Sequence, residues 1–229
     1  MNQPINCYID HTLLKPEATT ADIETLCAEA KQYGFFAVCV NSCHVETAAR
    51  LLSASPVAVA CVVGFPLGAC ASEIKAAEAE WACRRGACEI DMVMNIGALK
   101  DKRFDEVRAD IAAVVKAAAG HGGTVKVILE TCLLSDEEIV TACRLAEEGG
   151  AAFVKTSTGF SSGGATQRHV ALMKQAVGGR LRVKASGGIR NYETAAAMIA
   201  SGADRIGASA SVAIAAQAIQ QEPLKNPCS

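Results

Sequence analysis

The sequence predicts an α/β fold, a single-domain (β/α)8 TIM barrel, and three observations lead there. Strand-like and helix-like segments alternate from end to end, eight such units succeed one another, and the turns between them are short, with no Pro/Gly/Ser-rich linker. Right-handed crossovers repeated eight times close most naturally into a barrel. The competing doubly wound sheet usually has fewer units and carries a G-x-G-x-x-G turn, which is missing. The Ser186-Gly187-Gly188 cluster follows a strand without matching that signature. One domain is expected over residues 1–229, with a loose tail from about residue 222.

The units follow in order. Cys7 to Asp10 reads as a short first strand. Thr20 is placed as the cap of a helix running to about Tyr33, with Asp22 and Glu24 in its first turn and Gly34 beyond its end. A strand over Phe36–Asn41 precedes a helix from about His44 to Leu52. A strand over Val57–Phe65 precedes a helix from Ser72 to about Arg85. Glu89–Asn95 is a strand, followed by a longer helix from about Phe104 to Ala119. Thr124–Glu130 is a strand, and Ser135 with Glu138 makes a capping box for a helix to about Glu148. The run Ala151–Phe160 begins as a buried strand and opens into a loop of hydroxyls and glycine, then a helix from about Thr166 to Val177. Strands at Arg182–Ser186 and Arg205–Ala208 are each followed by a helix, from about Tyr192 to Ser201 and from about Ser209 to Gln220.

Composition narrows the function classes. With 51% hydrophobic and 20% charged residues and a net charge of -2, the 229-residue chain is globular and unsuited to coating nucleic acid. The first seven residues lack the charged and apolar regions of a signal peptide, and the longest apolar stretch, around Val57 to Phe65, is far too short for a bilayer. Eleven cysteines form no Cys-x-x-Cys pair, and most lie in apolar runs (Cys39, Cys61) or helical patterns (Cys27, Cys83, Cys143). Four histidines, at 11, 44, 121 and 169, are scattered. The expectation is a reduced, cytoplasmic protein with no metal site and no organic cofactor.

Strand parity then picks out an unusual interior. Side chains alternate along a strand, so Phe153, Lys155 and Ser157 share one face. On the fourth strand Ile90, Met92 and Met94 form the helix-facing set, leaving Glu89, Asp91, Val93 and Asn95 inward. The fifth turns Lys126, Ile128 and Glu130 inward, and the seventh Arg182, Lys184 and Ser186. Asp91, Lys126, Lys155 and Lys184 therefore converge where a stability-driven barrel core would hold Val, Ile and Leu. For one lysine alone, snorkelling or a structural ion pair is the simpler reading; agreement among several strands favours a catalytic cluster. A buried amine near a second ammonium loses its proton more readily and becomes a nucleophile for carbonyls, so Lys184 is expected to activate Lys155. Asp91 could hold the cluster's positive charge or move protons through water.

A second constellation is rich in glycine and hydroxyls: Ser186-Gly187-Gly188-Ile189 after the seventh strand and Gly207-Ala208-Ser209 after the eighth. Loops after these two strands, with a helix N-terminus, form the phosphate site common in such barrels. Gly159 and the Ser161-Ser162-Gly163-Gly164 loop could close over the same end.

The chain resembles the deoxyribose-phosphate aldolase family of class I aldolases in IDHTLLKPEAT, VGFPLG, EIDMVMNIG, KVILET, FVKTSTGF with SSGGAT, VKASGGIR and GADRIGAS. The resemblance covers nearly the whole chain. It implies Lys155 as the Schiff-base lysine, Lys184 as the second lysine that tunes it, and Asp91 as the proton-relay carboxylate. It implies reversible cleavage of 2-deoxy-D-ribose 5-phosphate to D-glyceraldehyde 3-phosphate and acetaldehyde, with phosphate against Gly159, Gly187, Gly188 and Ser209. The wider substrate set takes in Thr158, Ser186, Gly207, Asp10, Cys39 and Lys126. The implied partners are the sugar phosphate and the aldehyde, with no nucleic acid and no membrane, in a homodimer or higher homo-oligomer. Two positions depart from the family pattern: Ser209 is followed by Ala210 where some members have a second serine, and the tail from Glu222 to Ser229 has no tyrosine. Another Schiff-base sugar-phosphate aldolase or transaldolase, and a sugar-phosphate sensor, are the alternative readings.

Overall fold

The computed structural model describes residues 3–221. Eight parallel strands close into a barrel in chain order: β1 (Ile9–Leu13), β2 (Ala37–Val40), β3 (Ala58–Val63), β4 (Glu89–Val93), β5 (Thr124–Ile128), β6 (Phe153–Lys155), β7 (Arg182–Ser186) and β8 (Arg205–Ala208), with β8 paired back onto β1. Outside them run α1 (Thr20–Tyr33), α2 (Val45–Leu52), α3 (Ser72–Arg84), α4 (Ile96–Lys100), α5 (Phe104–Ala119), α6 (Asp136–Glu148), α7 (Gln167–Val177), α8 (Tyr192–Ala200) and α9 (Ser211–Gln221). The expected (β/α)8 barrel is what the chain forms. Among the described residues no helix is long and apolar enough to cross a membrane.

Local chemistry sets most boundaries. Thr19, one residue before the expected cap, accepts the Asp22 N–H while the Asp22 carboxylate accepts the Thr19 N–H, and Gly34 ends α1 in the left-handed region at φ 64°. Ser135 and Glu138 make the same reciprocal cap on α6. The first strand starts later than expected, because Ile5–Tyr8 forms a 3-10 turn and the ladder begins only where Ile206 and Ala37 supply partners for Ile9 and Asp10. Strand β4 stops at Val93, and Asn95, expected inside it, caps the unforeseen α4 by accepting the Ala98 N–H at 3.0 Å. The last helix begins at Ser211, whose hydroxyl donates to Ala208 O at 2.8 Å, so Ser209 lies in the preceding loop. The expected loose tail lies outside the described residues.

Outward strand residues such as Val38, Cys61, Ile90, Met92, Val127 and Val154 are fully buried against the helices in one continuous apolar layer. Burying each such side chain contributes about 1.5–3 kcal/mol, so this layer supplies the stability. The interior is divided. Leu14, Cys39, Ala60 and Val62 make a small apolar cluster on the β1–β3 side. Elsewhere the interior mixes apolar Val93, Ile128 and Phe153 with buried charged side chains, which the apolar layer allows without loss of the fold.

Candidate active site

A cavity of about 250 Å³ opens where the strands end. Lys155 rises into it from the last position of β6, and Thr158, Gly159, Ser186, Gly187, Gly188, Gly207 and Ser209 line it as expected. Lys155 is 3% exposed, whereas Lys126 and Lys184 are 0% exposed and do not line the cavity, so Lys155 is the one lysine of the three that an entering molecule meets.

Below Lys155 lies Asp91. Its Oδ2 accepts from Lys155 Nζ at 2.7 Å and Lys184 Nζ at 2.8 Å, and its Oδ1 accepts from Lys126 Nζ at 2.8 Å. Lys184 also donates to Asp10, whose other oxygen accepts from Arg205 at 2.8 Å. Inward parity, read strand by strand, thus brings Asp91, Lys126, Lys155 and Lys184 together.

Burial and charge act in opposite directions on these groups. Burial alone would raise the Asp91 carboxyl, but Lys126, Lys155 and Lys184 overcome it and hold the group well below the usual carboxylate range. Asp10, likewise buried, is pulled down to about 2 by Lys184, Lys126 and Arg205. For Lys184, burial is overcome by Asp10 and Asp91, which raise it above the ordinary lysine value. Lys155 goes the other way. Burial lowers it, Asp91 opposes, and Lys184 adds to the lowering. Both expected causes, burial and the neighbouring Lys184, act on Lys155, and removal from water is the larger. The result is an amine that sheds its proton more readily than an exposed lysine does.

Three residues assigned to the substrate set lie elsewhere. Asp10 and Lys126 sit one layer deeper: Asp10 is two residues before Thr12, which lines the cavity, and Lys126 pairs with Phe153 while Ile128 pairs with Lys155. Cys39 is fully buried with its Sγ 4.0 Å from Asp91 Oδ2. Burial and the neighbouring Asp91 push that thiol up to about 11, so it packs as a small apolar group.

The glycine-rich loops meet as expected at the cavity wall. Gly187, at φ 87°, lies so near Gly164 that an added Cβ would stand 3.1 Å from Gly164 Cα, and Ala165 N–H donates to Ser186 O and Gly187 O. Gly159, Gly187, Gly188 and Ser209 line the cavity beside this contact.

Sequence reasoning missed several contributors. Lys15 and Arg190 line the mouth, and Arg190 comes two residues after the glycine pair, beyond Ile189, which is the signal that could have found it. Glu130, at φ 57°, turns its carboxylate onto Thr158, accepting that residue's N–H at 3.3 Å and its hydroxyl. Arg205 also points inward to Asp10, as the helix-facing Ile206 implies by alternation.

The sequence of this chain is similar to known aldolases along most of its length. The model of the family described as DeoC/LacD family aldolase matches residues 5–217. A deoxyribose-phosphate aldolase of Bdellovibrio bacteriovorus is 60% identical over 207 residues, covering 90% of this chain and 93% of that one. A deoxyribose-phosphate aldolase of Clostridium novyi is 57% identical over 210 residues, covering 92% and 94%. The tetrameric deoxyribose phosphate aldolase from Aeropyrum pernix superposes with a TM-score of 0.90 at 32% identity, covering 96% of this chain and 94% of that one.

Proposed function

The chain belongs to the DeoC/LacD aldolase family, and from that premise we propose that it is a deoxyribose-phosphate aldolase, a class I aldehyde-lyase that cleaves 2-deoxy-D-ribose 5-phosphate reversibly to D-glyceraldehyde 3-phosphate and acetaldehyde. The observation that carries the reading is Lys155, a buried amine at the cavity floor whose Nζ shares Asp91 Oδ2 with Lys184.

The unprotonated Lys155 amine adds to the C1 aldehyde of the open-chain sugar, and loss of water gives an iminium. An iminium keeps its positive charge at every working pH. Asp91, 2.7 Å from Nζ, favours that charge over a neutral adduct. The C2–C3 bond then breaks with its electron pair flowing into the iminium, leaving an enamine on Lys155. The proton of the C3 hydroxyl leaves as its carbon becomes the aldehyde of glyceraldehyde 3-phosphate. A carboxylate as acidic as Asp91 holds a proton only in passing, which fits a relay between that hydroxyl and water. Protonation of the enamine carbon and hydrolysis of the resulting iminium release acetaldehyde and restore the amine. Carbon, hydrogen and charge balance without an oxidant or a metal.

The phosphate lies against the amides of Gly159, Gly187, Gly188 and Ser209, with Thr158, Ser186 and Gly207 completing the wall. Lys15 and Arg190 at the mouth favour a dianion. A homodimer or higher homo-oligomer is the assembly, supported by the tetramer described for the Aeropyrum pernix relative. The thiol-rich composition, eleven cysteines in 229 residues, supports a cytoplasmic setting.

Mixing the protein with 2-deoxyribose 5-phosphate, reducing with borohydride and mapping the adduct by peptide mass spectrometry tests the reading. An adduct on Lys155 is expected. An intact protein that binds phosphate ligands but yields no adduct would overturn it in favour of a sensor.

A further inference from the structure

The contacts around Asp91 and Asp10 do not end there. Glu89, two residues before Asp91 on β4, lies 2.6 Å from Lys126 Nζ and 3.0 Å from Arg205 Nη1. The path can therefore be followed round without a gap. It runs from Asp91 Oδ1 to Lys126, to Glu89, to Arg205, to Asp10, to Lys184 and back to Asp91 Oδ2. Three carboxylates alternate with three cations in a closed ring contributed by β1, β4, β5, β7 and β8, and every member is buried. The ring is neutral in itself. Lys155 is attached to it at one atom, Asp91 Oδ2, as a seventh charged group with no carboxylate of its own.

Resting on the assignment of Lys155 as the reacting amine, we propose that Glu89 and Arg205, on the opposite side of the ring from the cavity, are positioning residues that set how readily Lys155 gives up its proton. Neither lines the cavity, so neither touches substrate. Their influence passes through shared partners. Without the Glu89 charge, Lys126 keeps only Asp91 and a 3.9 Å approach to Asp10, so it draws more of the Asp91 carboxylate away from Lys155. The buried cluster would then carry one net positive charge before Lys155 is counted, and a further ammonium would be disfavoured. Without the Arg205 charge the cluster is one negative, and an ammonium at Lys155 restores balance.

Among the described residues, charged and titratable groups face both Lys155 and Arg205. Lys155 is faced by Asp91 from β4, Lys184 from β7 and the Cys39 thiol from β2, with exposed Lys15 and Arg190 across the cavity. Arg205 is faced by Asp10 and Glu89, and its guanidinium carbon lies 3.4 Å from the Phe36 ring centroid and 5.5 Å from that of Phe153. Arg182 and Lys126 also approach the Phe153 ring, at 4.0 and 5.8 Å from its centroid.

The test reads the Lys155 amine without using turnover. Full-length protein is labelled with trace acetic anhydride across the pH range, and the labelling of the Lys155 peptide is followed by mass spectrometry. Glu89→Gln is expected to move the labelling midpoint down by about one pH unit, the scale of one unit charge at short range in a protein interior. Arg205→Met is expected to move it up by about as much. The double variant, in which one charge of each sign is gone, is expected to return it to the wild-type position. If Arg205→Met alone does not fold, Glu89→Gln and the neutral double variant decide between them. A Glu89→Gln midpoint on the wild-type curve, or a double variant still shifted as Glu89→Gln is, would overturn the proposal. Failure of the aldolase reading is separately visible, as a wild-type protein whose Lys155 labels normally but is not trapped by 2-deoxyribose 5-phosphate and borohydride.

Discussion

Lys155 and Lys184 are register partners on β6 and β7, and their Nζ atoms meet at one oxygen, Asp91 Oδ2, at 2.7 and 2.8 Å. Two amines on one acceptor have unequal claims. Lys184 has Asp10 as a second partner, and Lys155 has none. The proton is therefore lost first from Lys155, the amine that faces the cavity.

Replacing Lys155 by Leu removes the nucleophile while relieving the burial of an amine. Turnover of 2-deoxyribose 5-phosphate is expected to fall roughly 10³-fold or more, with far-UV circular dichroism and thermal midpoint kept or improved. Retained turnover in steady-state assays would remove the Schiff-base assignment.

Lys184→Leu takes a like charge away from Lys155 and leaves Asp91 Oδ2 to it alone. Both changes favour the Lys155 ammonium, so the acidic limb of the pH–rate profile should move to higher pH by about one unit or more. Asp10 and Asp91 each lose a buried partner, which costs about 3–5 kcal/mol of stability in urea titrations. A limb that stays in place would contradict the shared-oxygen account.

Asp91→Asn separates amine availability from proton relay. Loss of the carboxylate lowers Lys155 further, so its labelling by acetic anhydride should quicken at neutral pH. Turnover should nevertheless fall about 10²-fold or more, because the iminium loses its counter-charge and the hydroxyl its relay. Turnover that rises with labelling would show that amine availability alone limits the reaction.

Acid stability follows from Asp10. Its ordinary value of 3.8 is lowered to about 2 in the fold, so its contribution is complete above pH 3.8 and is lost as pH falls toward 2. Asp91 acts with the same sign. Unfolding free energy measured by denaturant titration should drop by about 2 kcal/mol for Asp10 alone across that window. A flat profile there would mean that the ring is not charged as described.

Gly187→Ala forces a side chain at φ 87° and brings a Cβ to 3.1 Å from Gly164 Cα and 3.3 Å from Ser157 Cβ. The phosphate wall should shift while Lys155 stays in place. KM for 2-deoxyribose 5-phosphate is expected to rise about tenfold, with little change for 2-deoxyribose lacking the phosphate. Equal effects on both substrates would show that Gly187 does not serve the phosphate.

The barrel and the lysines were legible because alternation is a local property. Val183 and Ala185 facing the helices place Lys184 inside whatever the other strands do. The helix cap at Ser135 was legible for the same reason. What the sequence hid depends on partners far along the chain. The start of β1 is fixed by Ile206 and Ala37, and the Glu89–Arg205 pair spans 116 positions. Depth was hidden too. Parity gives the face but not the layer, which is why Asp10 and Lys126 were assigned to substrate when they lie one layer below it.

The ring of charges draws on residues from position 10 to position 205, so it has a consequence for the order of synthesis. A nascent chain that has emerged only through β7 holds Asp10, Glu89 and Asp91 without Arg205, and β1 without its closing neighbour. The apolar layer can begin to pack at that stage, but the electrostatic circuit stays open until β8 has left the ribosome. An unfinished chain therefore holds three ring carboxylates short of one cation until its last strand closes the barrel.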